Sequence, residues 1–193
     1  MRLTWLAAIP LVFGLLGCSA AGEAGTTSSV AASIGSTTSR VADTAPETSA
    51  VASGRPVAPD FTLELGDGGT YVLSEAKKPV YLVFWAEWCP TCRRELPVVD
   101  SLASEYADEV DFVAPAWKST FAATQRRADE LFQSGSIQWG LDAEEEIFSL
   151  YGVPYQPVTV LIAKDGTVVE SWDGLRAEDE IRKALDALIA LSA

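Results

Sequence analysis

Two cysteines of this 193-residue chain are separated by two residues, in the segment Trp88-Cys89-Pro90-Thr91-Cys92. Thiols at this spacing can close a small disulfide ring and exchange it with other thiols. A zinc site is disfavoured, because the chain has no His and only one further Cys to complete the ligand set. An inert structural disulfide is also disfavoured, because so short a loop restrains little entropy of the unfolded chain. The motif therefore predicts reversible thiol–disulfide chemistry without a metal ion or cofactor.

The segments on either side of the motif suggest how it is positioned. The apolar run Val80–Trp85 is typical of a strand buried on both faces, and a helix is predicted to follow from about residue 90. The unpaired N–H groups of a helix N-terminus favour a thiolate on Cys89, and Pro90 suits the first turn. Cys92 lies one turn further in. We therefore expect Cys89 to be the exposed, attacking or attacked sulfur and Cys92 to resolve the mixed disulfide.

Strand and helix signals alternate through residues 56–193 and predict one α/β domain. The predicted elements are a hairpin of 61–65 and 71–73, a helix of 90–106 kinked near Pro97, a strand of 110–114, a helix of 122–133, a strand of 137–141, a helix of 143–151 opened by Asp142, a hairpin of 158–163 and 167–172, and a helix of 177–191.

Residues 1–17 have the pattern of a secretory signal, with Arg2 ahead of a short apolar run. The run ends in Leu15-Leu16-Gly17-Cys18, which resembles the lipobox of bacterial lipoproteins, where the Cys is lipidated and becomes the new N-terminus. An ordinary signal peptide is the alternative. Residues 18–55 are rich in Ser, Thr, Ala and Gly without a hydrophobic period, which predicts a disordered linker. We expect an extracytoplasmic domain, lipid-anchored to the bacterial cell membrane through Cys18.

The composition excludes several function classes. With 14 Lys and Arg against 27 Asp and Glu, the formal net charge is −13, which disfavours binding to nucleic acid. Without His, the chain cannot build a Ser-His-Asp triad.

Three segments resemble the thioredoxin superfamily, and most closely its TlpA-like, ResA-like branch. They are the active-site segment Phe84–Cys92, the continuation Arg93-Arg94-Glu95-Leu96-Pro97, and the segment Tyr151–Thr159. The resemblance implies a thioredoxin-like three-layer sandwich with an N-terminal β-hairpin and a central TlpA-type insertion between Thr120 and Leu141. Two positions depart from the pattern: Val83 stands where thioredoxins place a buried acid, and Gln156 precedes the proline of the third segment.

The same resemblance assigns roles to individual residues. Pro157, rather than Pro154, aligns with the family's cis-proline, which packs against the disulfide and leaves the backbone of Gln156 free to pair with a bound peptide. An ordinary strand-edge proline is the alternative. Trp88 covers the thiol surface, and Pro90 and Thr91 complete the substrate-binding surface. Four further tryptophans are interpreted as packing residues, although Trp117 lies where insert residues could reach a substrate; they are Trp85, Trp117, Trp139 and Trp172.

Glu95 is the carboxyl nearest to Cys92 by helical spacing, three residues further along the same face. We expect it to take or return the proton of the resolving thiol, since Val83 is not an acid and no His is present. The alternative is a solvated side chain paired with Arg93 or Arg94.

The sequence thus favours a membrane-tethered thiol-disulfide oxidoreductase acting on exported proteins, reset by a membrane redox partner. TlpA-like relatives often reduce, for instance preparing apocytochrome thiols during cytochrome c maturation, whereas related secreted proteins with Cys-Pro-Thr-Cys oxidise new exports. A thiol peroxidase of the AhpC/TSA type is disfavoured, because its pattern needs Thr or Ser at Ala86 and Pro at Leu82. A non-catalytic binding module is disfavoured by the intact Cys89, Cys92 and Pro157.

Overall fold

The computed structural model describes residues 54–192. The predicted signal peptide, the lipidation site Cys18 and nearly all of the predicted linker lie outside the described residues. Within residues 54–192, no helix combines the length and apolar character needed to cross a bilayer.

A five-stranded mixed sheet forms the centre of the domain. Its strands are β3 (Val80–Phe84), β4 (Asp111–Ala116), β5 (Ile137–Leu141), β6 (Val158–Ile162) and β7 (Val168–Asp173), in the spatial order β5-β4-β3-β6-β7. The strands β3, β4 and β5 run parallel, whereas β6 is antiparallel to β3 and to β7. All five residues of β3 are buried, as the apolar run predicts for a central strand.

Phe84, at the end of β3, and Trp85, directly after it, meet helices on opposite faces of the sheet. Phe84 packs edge-on against Phe148 with ring centroids 4.9 Å apart, and Trp85 packs edge-on against Phe132 at 5.2 Å. Phe148 belongs to α3 (Glu146–Leu150) and Phe132 ends α2 (Phe121–Leu131). Because neighbouring strand residues point to opposite faces, α2 and α3 lie on opposite sides of the sheet, which gives three layers.

The helix α1 (Cys92–Glu105) contacts both α2 and the C-terminal helix α4 (Glu178–Ser192). It begins two residues later than predicted, because Pro90 and Thr91 form a turn ahead of it. The predicted helix of 143–151 is shortened to α3. The carboxylate of Asp142 accepts from the backbone N–H groups of Glu146, Ile147 and Phe148, so it does cap the helix, but from further upstream than expected.

The predicted N-terminal hairpin is confirmed as β1 (Thr62–Glu64) and β2 (Thr70–Val72), an antiparallel pair. It sits close against the edge strand β5. At Gly140, an added Cβ atom would lie 2.1 Å from the backbone oxygen of Glu64, so only glycine permits this approach. The hairpin and the inserted α2 and β5 surround the central strands that carry the motif.

Candidate active site

Cys89 and Cys92 form a disulfide at the end of β3, with their Cα atoms 5.3 Å apart. Cys89 belongs to the turn ahead of α1, and Cys92 is the first residue of that helix. The backbone N–H of Cys92 points at the Sγ of Cys89 over 3.1 Å. In the reduced protein, an N–H at this position favours a thiolate on Cys89, which is the effect predicted from the helix N-terminus.

The two sulfurs differ less in exposure than the sequence suggested. Cys89 is 3% exposed and Cys92 is fully buried at 0%. The expectation of an exposed Cys89 is therefore wrong in degree, because the turn of residues 86–91 and the segment around Gln156 close over the residue. Cys89 is still the more exposed of the two residues, since Cys92 has no accessible surface.

The second wall of the site comes from the segment ahead of β6. The Gln156–Pro157 peptide bond is cis, and it is the only cis bond within residues 54–192. The backbone oxygen of Gln156 lies 3.9 Å from the Sγ of Cys89. The bond before Pro154 is trans, so the structure agrees with the choice of Pro157. These residues bring the Gln156 backbone to the face of the disulfide.

The remaining candidate residues form the rim. Trp88 is 46% exposed, and its indole N–H donates to the backbone oxygen of Lys118 over 3.1 Å. Pro90 is exposed and Thr91 is half-buried, with no capping hydrogen bond from its side chain. Tyr155, which precedes Gln156 in the chain, is also exposed. Two segments of the site thus each carry an exposed aromatic side chain.

Glu95 is buried in α1, only 2% exposed. The solvated pairing with Arg93 or Arg94 is excluded, because both arginines are exposed while neither oxygen of Glu95 has a hydrogen-bond partner. Burial raises the pKa of the Glu95 carboxyl from 4.5 to about 7. A carboxyl group that titrates near neutral pH thus lies one helical turn beyond Cys92.

Other unpartnered polar atoms lie on the same face of the sheet. The Tyr81 hydroxyl, the Thr159 hydroxyl and the Trp172 indole N–H are buried without partners. Thr159 pairs with Trp172 across β6 and β7, and the Tyr81 and Trp172 rings lie 6.0 Å apart. Burial raises the pKa of Tyr81 far above its ordinary value, and the charge of Glu95 adds to the shift. Sequence reasoning missed this polar cluster, although Thr159 inside an apolar strand was an available signal.

Sequence reasoning also left Trp117 among the packing residues. It is indeed buried, at 5% exposure, yet its indole N–H donates to the side-chain oxygen of Gln156 over 2.8 Å.

Within residues 54–192, no three His, Cys, Asp or Glu side chains cluster as metal ligands would.

Several known proteins resemble this chain in sequence and fold. The Redoxin family profile matches residues 52–188. The thiol-disulfide oxidoreductase ResA of Geobacillus thermodenitrificans is 30% identical over 133 residues, covering 68% of this chain and 75% of that protein. A secreted Mycobacterium tuberculosis disulfide oxidoreductase homologous to E. coli DsbE is 29% identical, with a TM-score of 0.60 over 66% of this chain and 96% of that one. An exposed lipoprotein thioredoxin of Streptococcus pneumoniae is 31% identical, with a TM-score of 0.61 over 67% and 100%.

The predicted thioredoxin-like fold is confirmed by these structures, and the predicted resemblance to ResA-like proteins by the sequence match. The thiol-disulfide oxidoreductase relatives favour that enzyme class over the peroxidase and binding-module alternatives. The chain belongs to the Redoxin family and is a thioredoxin-like thiol-disulfide oxidoreductase of the ResA/DsbE type.

Proposed function

We propose that this protein is a membrane-tethered, extracytoplasmic disulfide reductase that acts on exported proteins, apocytochromes among them. The supporting observation is the surroundings of Cys89, whose sulfur lies between the Cys92 N–H at 3.1 Å and the Gln156 carbonyl at 3.9 Å. A peptide that pairs with the Gln156 backbone would bring its own disulfide to Cys89. Cys89 then attacks, and Cys92 releases the reduced substrate by reforming the Cys89–Cys92 disulfide. A membrane redox partner must restore the dithiol.

The charge distribution favours reduction over oxidation. A strongly oxidising pair needs a thiolate that its surroundings stabilise. Within residues 54–192, the Sγ of Cys89 has one backbone N–H, one carbonyl oxygen and no Lys or Arg side chain within hydrogen-bond distance. The carbonyl dipole and the buried carboxyl of Glu95 both disfavour negative charge on the sulfurs. The dithiol is therefore a good electron donor.

We expect the reduction potential of the Cys89–Cys92 pair to lie closer to thioredoxin, at about −270 mV, than to the strong oxidant class at about −120 mV. The reason is the weak stabilisation of the Cys89 thiolate. Equilibration of the full chain with dithiothreitol and glutathione buffers measures the potential. A value near that of the strong oxidants would contradict the reductase assignment and support the alternative, a secreted oxidase of exported proteins.

The chain enters the domain at the end of the sheet opposite to the disulfide. The Val168 N–H donates to the Pro56 oxygen over 2.8 Å. Val168 pairs with Ile162, which pairs in turn with Val80 at the start of β3. The disulfide follows the other end of β3. A lipid anchor joined through residues 18–55 would therefore leave Cys89 on the side remote from the attachment point.

Lipid attachment at Cys18 predicts that the full chain incorporates a tagged fatty acid when expressed in a bacterium, and that Cys18→Ala abolishes the incorporation. The acyl chains supply the membrane affinity, at about 0.8 kcal/mol for each buried methylene group. Labelling with tagged palmitate, followed by detergent phase partition, measures both properties. The matched control is Cys92→Ala, which removes a thiol elsewhere and should remain labelled. Labelling that persists in Cys18→Ala would overturn the anchor.

Glu95 is proposed to exchange the proton of Cys92 during resolution. Cys92 must lose its proton to attack the mixed disulfide, and a group with a pKa of about 7 accepts a proton efficiently at neutral pH. Neither carboxyl oxygen is occupied by another hydrogen bond. The buried Tyr81 hydroxyl lies close enough to this carboxyl for the charge of Glu95 to raise the pKa of Tyr81.

The raised pKa predicts how Glu95→Gln changes stability with pH in the disulfide form. The unfolded carboxyl ionises near 4.5 and the folded one near 7, so the parent loses stability as pH rises from about 4.5 to about 7. The glutamine variant is spared this loss. Its free energy of unfolding should equal the parent's near pH 4 and exceed it by about 3 kcal/mol at pH 8. Denaturant titrations across this range measure the difference.

The matched control is the exposed Glu64→Gln, which should show no such divergence. In stopped-flow experiments, Glu95→Gln should also lose the inflection near pH 7 in the rate of mixed-disulfide resolution. Stability and rate profiles that overlay those of the parent would remove Glu95 from the mechanism.

A further inference from the structure

Trp117 connects the loop after β4 to the active-site segment. Its indole N–H donates to the Gln156 Oε1 over 2.8 Å. Because an indole N–H is only a donor, the atom facing it must be the amide oxygen, which fixes the orientation of the Gln156 amide. The Trp117 ring stacks on Phe148 of α3, with centroids 4.0 Å apart and planes 7° apart. The donor is thus held rigidly by the core.

The next residue, Lys118, holds the opposite flank of the disulfide. Its backbone oxygen accepts from the Trp88 indole N–H over 3.1 Å. Lys118 adopts a left-handed conformation with φ of 50°, which is uncommon for a residue other than glycine. Its ammonium lies 3.5 Å from the Trp117 ring centroid and 3.7 Å from a Glu145 oxygen. These contacts hold the chain in a turn that reaches both sides of the site.

We propose that Trp117 is a positioning residue for peptide substrates, acting through Gln156. The Gln156 backbone lies between the exposed Tyr155 and the cis bond to Pro157, at the place where an extended peptide would pair. The hydrogen bond from Trp117 holds this residue in place before a substrate arrives, so less ordering entropy is lost on binding. The Gln156 amide NH₂, directed away from Trp117, is then available as a donor to a carbonyl oxygen of the peptide.

This inference rests on disulfide exchange at Cys89 and does not depend on the direction of electron flow or on the anchor. A small disulfide needs only the sulfur of Cys89, whereas a peptide disulfide also needs the Gln156 segment. Loss of the Trp117 contact should therefore weaken peptide binding more than it slows reaction with a small disulfide. This difference separates positioning from a general loss of activity.

The test uses the reduced full chain and two oxidants, a disulfide-bonded peptide and 5,5′-dithiobis(2-nitrobenzoate). Trp117→Phe keeps a ring for stacking on Phe148 and removes the N–H donor. We expect the half-saturating peptide concentration to rise about three- to tenfold, as for the loss of one hydrogen bond, and the ratio of peptide to small-disulfide rates to fall by the same factor. The matched control is Trp139→Phe, a tryptophan on β5 remote from the disulfide, which should leave the ratio unchanged.

Gln156→Leu removes the acceptor of the same hydrogen bond. This variant still tests the contact if Trp117→Phe does not fold. It should raise the half-saturating peptide concentration at least as much, and the double variant should match Gln156→Leu alone. A change below twofold in Gln156→Leu, an unaltered ratio in a folded Trp117→Phe, or additive effects in the double variant would each overturn the proposal. Reaction of the parent with the small disulfide verifies the exchange chemistry independently.

Discussion

The pairing register between β3 and β6 determines where the chemistry takes place. Phe84, at the end of β3, lies opposite Val158, at the start of β6. The chain that leaves β3 and the chain that enters β6 are therefore neighbours, and Cys89 meets Gln156, 67 residues away in sequence. A register shift of one residue would turn every β6 side chain to the other face. Because both strands are buried on both faces, close packing of their side chains against the flanking helices specifies the register.

This register also places the groups that control charge at the two sulfurs. On one side, the Cys92 N–H and the Gln156 carbonyl oppose each other at Cys89, so the thiolate there is only moderately favoured. On the other side, α1 buries Glu95 close to Cys92, where a carboxyl without partners remains protonated to nearly neutral pH. One sulfur can thus meet a substrate while the other exchanges its proton inside the domain.

An apolar strand, a helix start and a Cys-x-x-Cys pair are local signals, and they predicted the α/β class and the disulfide. The thioredoxin-like fold and the cis bond before Pro157 were predicted from the resemblance to the family. The sequence predicted Glu95 by helical spacing but not its burial, since that depends on how α1 packs over the sheet. The contact of Trp117 with Gln156 could not be predicted, because it joins two loops through a left-handed turn at Lys118. Exposure of Cys89 was overestimated for the same reason: distant segments close over it.

The proposed chemistry requires that Cys89 exchanges with protein partners and that Cys92 resolves the product. The most direct measurement is the capture of mixed disulfides in cells that express full-length Cys92→Ser or Cys89→Ser, after acid quenching and non-reducing electrophoresis. We expect covalent complexes with Cys92→Ser, which disappear on reduction, and none with Cys89→Ser. Complexes that form only with Cys89→Ser would reverse the roles of the two sulfurs, and their absence from both variants would contradict exchange at this site.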